Sequence, residues 1–389
     1  MASIPSEHAK LSASGAHRWL YCTPAAELES QYPDKDSVYT IEGSIAHELA
    51  ALKLQKYFTP MSTRTYNNRK KKIEKLEGYT EEMDACTDTY LEYIKSIVVS
   101  LPSTPYAAIE QRVSYDQYVP DGFGTADSIL IHGDTLWITD YKHGKGVPVE
   151  AEHNEQLQLY ALGAIQSYAF LYTIKHIVLS IIQPRTSTLT PNTWTIEADK
   201  LLDWGENFVK PRAALAYNGK GEFNPGEKTC RFCKAKAVCR ARAEKNLELA
   251  RNEFAPPRTL SYEEIGGILT QAKDLKAWVS DLEEYALNEA LSGQHITGWK
   301  LVEGRSTRRF LDADAAFDKL IAAGVDRELL YVRKPITLAE TEKLIGKKRF
   351  SELLATDVEK PRGKPALVPE TDSRVPYTTA KDDFFKEEA

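Results

Sequence analysis

The chain has 389 residues, 42% hydrophobic and 27% charged, a balance that excludes disordered and fibrous classes and allows one large α/β domain with a smaller companion. It contains no run of about 18 apolar residues, and its N-terminus lacks the basic-then-apolar order of a signal peptide, so a cytoplasmic protein with no membrane partner is expected. The formal charge of −6 argues against a surface that coats DNA everywhere but leaves room for a basic groove on one face.

Residues 12–30 read as a helical N-terminus with Ser12 or Ser14 as cap, and "IEGSIAHELAALKLQKYF" from Ile41 has the spacing of an amphipathic helix carrying His47. The basic run Arg69, Lys70, Lys71 and Lys72 follows as a loop or helix start. It suits either phosphate tracking on DNA or a merely solvated surface. A helix over about 80–100 ends before Pro102, and Cys86 falls at an inward position as a small core residue.

Three β-rich runs come next, "YAAIEQRVSYD", "GTADSILIHG" and "DTLWITDYKHG", the last two joined by a His-Gly-Asp turn that predicts a hairpin within a meander. From about residue 152 the apolar spacing turns helical, and "IKHIVLSIIQP" reads as a buried strand. "TIEADKLLDWGENFVKPRAALAY" reads as a further helix, after which a Gly-rich turn leads to Cys230, Cys233 and Cys239. Beyond a Pro-Pro linker come a long helix, a strand pair over 299–312 with Arg305, Arg308 and Arg309, and helices near 312–323 and 337–355. The Pro- and charge-rich end predicts a disordered tail.

On strands predicted to pair, Asp127 and Asp140 come to one end of a small sheet. Residues 140 and 142 share a face, so Asp140 and Lys142 are neighbours while Tyr141 points away. Two carboxylates with open positions suit Mg²⁺ or Mn²⁺ on a phosphodiester, with Lys142 orienting water or stabilising the developing anion. The bland alternative is a surface ion pair. Gln156 and Tyr160, four apart, share one helix face where an amide and a phenol can hold a phosphate or the attacking water. Glu110 is either a further carboxylate at the metal or an exposed strand charge. His143 and His153 read as loop and helix-surface residues.

Five cysteines are too few for a disulfide scaffold, and the close trio asks for a fourth ligand, for which Cys22 is available. Four thiolates suit zinc as well as an iron-sulfur cluster.

The ordered set His47 in "GSIAHE", Asp127 in "GTAD", Asp140 and Lys142 in "DYK", and Gln156 with Tyr160 in "QLQLY" resembles the PD-(D/E)XK nuclease superfamily, in its RecB-type branch. The resemblance covers about residues 10–245. It implies an α/β, restriction-endonuclease-like core: a mixed central sheet flanked by helices. It further implies that His47, Asp127, Asp140 and the Tyr141 carbonyl hold Mg²⁺ or Mn²⁺, that Lys142 is catalytic, and that Gln156 and Tyr160 support it. The cysteine arrangement is similar to that of AddB-type helicase-nucleases and CRISPR-associated exonucleases. This implies a structural [4Fe-4S] cluster on Cys22, Cys230, Cys233 and Cys239 that clamps the domain, with Zn²⁺ as the alternative.

No P-loop is present, so the chain carries no motor of its own. The layout resembles phage- and prophage-encoded proteins of an uncharacterised family, which implies a role in DNA recombination or end processing. The expected function is therefore a metal-dependent DNA exonuclease. A structure-specific endonuclease and a non-catalytic DNA-binding scaffold are the alternatives. The expected domains are the nuclease with its four cysteines at 1–245, a mainly helical domain at 258–356 and a tail at 357–389. Aromatics among acids in "KDDFFKEEA" suit docking to a single-strand annealing or single-strand binding protein.

Overall fold

In the computed structural model, which describes residues 9–33, 38–186, 190–252, 262–300, 302, 312–322, 326–330, 337–354 and 358, one five-stranded mixed sheet in the order β1-β2-β3-β4-β5 organises the chain. Strands β1 (Tyr106–Ser114), β2 (Phe123–His132) and β3 (Thr135–Tyr141) form the expected antiparallel meander. Gly133 takes the left-handed backbone, φ 59°, that the tight β2–β3 turn requires. Strand β4 (His176–Ile182) runs parallel to β3, so a crossover is needed. The helix Glu155–Tyr168 supplies it.

Strand β5 (Asn192–Glu197) closes the order antiparallel to β4, and here the sequence reading is corrected. Thr195, Ile196 and Glu197, expected as the start of a helix, instead pair with β4, and the helix begins at Ala198. The β-branched alternation of Thr193, Thr195 and Ile196 matches a strand that has a partner, and tertiary pairing overrides the helical pattern that follows.

The N-terminal segment is not one helix. A 3₁₀ turn at Ala13–Gly15, capped by Ser12, leads to α1 (Ala16–Trp19), and α2 (Ala25–Glu29) starts behind Pro24, which has no N–H to continue the first. Helices α3 (Val38–Phe58), α4 (Thr63–Ile73) and α5 (Glu82–Ser100) follow. Arg69 to Lys72 occupy the last turns of α4, not a loop or a helix start. Ser62 caps the N-terminus, and the lysines complement the dipole at the other end.

Helix α6 (Glu155–Tyr168) packs on one face of the sheet, and α3 and α5 pack on the other, so two cores flank it. Along β1 the alternation breaks. Ala107 and Ile109 face the α3/α5 core and Ala108 the α6 core, yet Val113, five residues after Ala108, also faces α6. The switch falls at Glu110, whose φ of 51° is left-handed.

Helices α7 (Ala198–Trp204) and α8 (Lys210–Tyr217) are joined by a π-helical turn at Gly205–Val209. Then come α9 (Glu227–Cys230), α10 (Arg240–Asn252) and α11 (Tyr262–Leu291). The chain divides into units of residues 1–289 and 290–389, a later boundary than the expected 245–258. The reason is local. Buried Arg242 donates to Asp274 at 3.1 Å and Asp281 at 2.7 Å, and the Trp278 indole donates to the Ala237 carbonyl, so α11 is held to the segment around Cys239.

In the second unit α12 (Ala313–Ala322), a 3₁₀ turn at Arg327–Leu330, α13 (Leu338–Ile345) behind a Thr337–Glu340 capping box, and α14 (Lys347–Leu354) supply helical structure. Gly346, φ 80°, splits the helix expected over 337–355. Most of the strand pair expected over 299–312, with Arg305, Arg308 and Arg309, lies outside the described residues, as does the tail at 357–389 apart from residue 358. No helix among the described residues is long and apolar enough to cross a membrane.

Candidate functional site

Three elements deliver ligands to one point: α3 brings His47, β1 brings Glu110 and β2 brings Asp127, with ligand atoms all within 4.8 Å of one another. Glu110 lies opposite Asp127 between the paired residues Ile109–Ser128 and Gln111–Ala126, and its left-handed backbone sets the approach of its carboxylate. Asp127 Oδ2 accepts from the Tyr141 amide at 2.7 Å and lies 3.4 Å from His47 Nδ1. The His47 ring also stands edge-on to Tyr141.

Charge distributes unevenly over this group. Burial acts to lower the His47 pKa, but the Asp127 carboxylate outweighs it and lifts the imidazole to about 9. The same pairing holds Asp127 below the usual carboxylate range against its own burial. Desolvation by the site walls, then the charge of Asp127, push Glu110 up to about 7, although its side chain is open to solvent on one side.

Asp140 stands beside this trio near the end of β3, and the Lys142 amide extends the ladder by donating to the Ile182 carbonyl, so the two side chains meet as the strand geometry predicts. Lys142 Nζ is 2.9 Å from Asp140 Oδ2. Burial raises the Asp140 pKa, and Asp127 adds to the rise against the pull of Lys142. Lys142 moves up as well, because Asp140 and Asp127 outweigh the burial that opposes its charge.

Gln156 ties the group together. Its Nε2 donates to Asp140 Oδ1 and to the Tyr160 hydroxyl, both at 3.1 Å, and its Oε1 accepts from Lys142 at 3.0 Å. The amide was expected to face a phosphate or water, but it is engaged with protein partners, so it positions the carboxylate and the amine. Tyr160 is buried under it, and a Cβ on Gly124 would come 2.6 Å from its ring, a requirement legible afterwards in the Gly of "GTAD".

The donor set fits a hard divalent cation: the carboxylates of Glu110 and Asp127 and the His47 imidazole, with the buried Asp140 carboxylate beside them, its Oδ2 paired with Lys142. An open pocket of about 650 Å³ adjoins it, lined among others by Ser44, His47, Glu48, Gln55, Arg69 and Glu110. Only Arg69 of the basic run lines this pocket, where its guanidinium donates to Gln55 at 2.9 Å. Lys70 pairs instead with Asp84 at 2.8 Å, and Lys71 and Lys72 are exposed.

His143 lies in the loop after β3, as expected. It is buried behind the site, its Nδ1 2.8 Å from the Tyr141 hydroxyl, and burial plus the Arg185 charge push its pKa down to about 4. Arg185 donates to the His143 carbonyl and bridges Glu42 and Glu82. No short-range pattern marks these long-range partners. Gln183 likewise holds the 144–149 loop through the Gly144 and Val147 carbonyls and the Val149 amide. His153 sits in the turn before α6, whose N-cap is Asn154, and packs on Trp194.

Cys22, Cys230, Cys233 and Cys239 line one small cavity of about 20 Å³. Backbone amides of Asn224 and Gly226 donate to the sulfurs of Cys22 and Cys230, and burial lifts the Cys233 thiol to about 12. Four thiols converging on one cavity, with N–H groups aimed at two of the sulfurs, fit thiolate ligation of a metal group. Cys86 is buried apart from them in the α3/α5 core, as expected.

A family profile described as "Protein of unknown function (DUF2800)" matches residues 8–375. Among solved structures, "Crystal structure of SSO0001" matches at 15% identity with a TM-score of 0.25, over 57% of this chain and 94% of that one. "Crystal Structure of LHK-Exo in complex with dAMP" matches at 12% identity with a TM-score of 0.24, over 45% and 91%. Both likenesses are remote.

Proposed function

The chain belongs to the DUF2800 family, whose description assigns no activity, and we propose from its site that it is a metal-dependent deoxyribonuclease built on a PD-(D/E)XK, restriction-endonuclease-like core. One observation carries this reading: His47, Glu110 and Asp127 converge beside Asp140, Lys142 and Gln156 at the mouth of an open pocket that Arg69 also lines.

His47, Glu110, Asp127 and Asp140 would hold Mg²⁺ or Mn²⁺, with the Tyr141 carbonyl as a further ligand. When bound, the ion supplies a more acidic water and positive charge for the phosphate oxygens. Lys142, paired with Asp140, acts as a fixed cation: it orients the attacking water or stabilises the charge that develops on phosphorus-bound oxygen. Gln156 holds amine and carboxylate in register, and Tyr160 holds Gln156. Arg69 meets a neighbouring phosphate.

The same proposal gives the four cysteines a structural [4Fe-4S] cluster, supported by their shared cavity and the two amide-to-sulfur hydrogen bonds. Zinc content without iron or brown colour would replace it by Zn²⁺. End processing in phage DNA recombination is the setting this activity suits.

End-labelled single-stranded, duplex and circular DNA with Mg²⁺ or Mn²⁺ test the reading. Terminal products from linear DNA are expected, and Asp140→Ala should abolish them. Cutting of circles would make the enzyme an endonuclease. DNA bound but never cut would make it a scaffold, and cleavage that Asp140→Ala leaves intact in a clean preparation would overturn the assignment of the site.

A further inference from the structure

Arg185 follows β4 where the chain passes the exit of β3: Tyr141 pairs with Ile182, and the Lys142 amide donates to the Ile182 carbonyl at 2.9 Å. Only 5% of the Arg185 side chain is exposed. Its Nη1 donates to Glu42 Oε1 at 2.8 Å and to the His143 carbonyl at 3.1 Å, while Nη2 lies 2.9 Å from Glu82 Oε2. Helix α3, helix α5 and the exit of β3, distant in sequence, thus meet on one guanidinium.

Two of these segments carry the site. Glu42 stands on α3 about one and a half turns before His47, and His143 directly follows Lys142. Further contacts close the same gap. The Tyr141 hydroxyl is 2.8 Å from His143 Nδ1, His143 Nε2 is 3.6 Å from Glu42 Oε1, and the Tyr141 and His47 rings meet at 5.5 Å.

Stability does not explain the arrangement. Taking a guanidinium out of water carries a penalty that its partners' attraction barely offsets, and here Arg185 Nε is buried with no acceptor among the described residues. What a buried, planar fork supplies is geometry, because it accepts partners in few directions. Gln183, its neighbour at the β4 exit, holds the 144–149 loop and makes no hydrogen bond to α3 among the described residues, so the link to α3 falls to Arg185.

Resting on the nuclease reading above, we propose that Arg185 is a positioning residue for the metal centre: it braces α3 against the exit of β3 and so sets the approach of the His47 imidazole to Asp140 and the Tyr141 carbonyl. It touches neither ion nor substrate. Glu42 and Glu82 neutralise its charge, so it acts through the segments it holds, as the outer partners of metal ligands do.

The test follows Tm, Mn²⁺ affinity by calorimetry, and kcat and KM on linear DNA, all on full-length chains. Arg185→Met, close in volume, should keep its Tm, because the partly exposed Glu42 and Glu82 turn to water. Its Mn²⁺ affinity should fall about tenfold and its kcat about 100-fold, the scale of a displaced ligand, with KM unchanged. Glu42→Ala cuts the same link from α3 and keeps the inference testable if Arg185→Met does not fold. It too should weaken Mn²⁺ binding about tenfold, whereas Glu42→Gln, which keeps the acceptor and removes the charge, should lose no more than about threefold. Arg185→Met combined with Glu42→Ala should lose little more than either alone.

Unchanged Mn²⁺ affinity and kcat in folded Arg185→Met, or equal losses for Glu42→Ala and Glu42→Gln, overturn the brace even if the wild type cleaves DNA. A wild type that binds Mn²⁺ but cuts nothing removes the nuclease reading, and a loss of affinity in Arg185→Met then still upholds the brace. A wild type that neither binds Mn²⁺ nor cuts DNA removes both.

Discussion

Glu110 lies across the β1–β2 pair from Asp127, and it is the residue at which β1 turns left-handed, φ 51°, and changes the face of the sheet it serves. A left-handed L-residue costs about 1–2 kcal/mol, which the packing on both sides of β1 must overcome. The conformation is therefore expected to serve the proposed metal site rather than the fold. Glu110→Asn, a residue at ease in this region, should leave stability within about 0.5 kcal/mol, whereas Glu110→Val should lose about 1–2 kcal/mol. Both should weaken Mn²⁺ binding by calorimetry. Equal stability of the two variants would show that the backbone is not strained there.

Gln156 contacts Asp140, Lys142 and Tyr160 at once, so its removal disorganises the site without opening it. Gln156→Ala should lower kcat about 100-fold, the scale of a lost positioning or electrostatic group, with little change in KM or in Mn²⁺ affinity. Tyr160→Phe, which keeps the ring over Gly124, should cost no more than about tenfold. A large rise in KM for Gln156→Ala would mean that the amide touches substrate instead.

Much of this core was legible because its signals are local. Period-two runs predicted β1 to β3, the Asp140-to-Lys142 step fixed a shared face, and the four-residue step from Gln156 to Tyr160 fixed another. What escaped depends on partners distant in sequence. The left-handed turn at Glu110 has no Gly or Asn to announce it. His143 is buried by Arg185 and Glu42, and β5 is a strand because β4 lies beside it. Helix α11 joins the first unit because two of its aspartates meet Arg242, a match no periodicity shows.

That match is pH-sensitive. Burial acts to raise the Asp281 pKa, but hydrogen bonds from Lys236 and Arg242 outweigh it and carry the pKa below 3.8. A depressed folded-state pKa gives stability that is complete above the unfolded value and lost as pH falls through the folded one. The Tm gap between wild type and Asp281→Asn should hence be constant above about pH 5 and close below pH 3.8. Arg242→Met, which strands Asp274 and leaves Asp281 with Lys236 alone, should cost about 3 kcal/mol at neutral pH. A gap unchanged by acid would place Asp281 outside the clamp.

The four-cysteine cavity joins Cys22, near the N-terminus of the described chain, to the segment that α11 covers. Cys233→Ala should remove colour and bound iron and lower stability by at least about 3 kcal/mol, while the site around Asp140 stays assembled and gives residual cleavage at low temperature. Unchanged iron content and Tm would mean that these thiols bind no cluster.

Arg69 and Lys70 are adjacent in sequence yet differ in what they meet, one lining the pocket and the other paired with Asp84. Each phosphate contact contributes about 0.7 to the salt slope of single-strand binding. Arg69→Ala should therefore weaken binding and flatten the plot of log K against log salt by about that amount. Lys70→Ala should leave the slope unchanged and cost at most about 1 kcal/mol of stability, since its ion pair is partly exposed. Equal slopes for the two variants would mean that the run acts only as diffuse charge, and the pocket wall would then have no part in placing the strand.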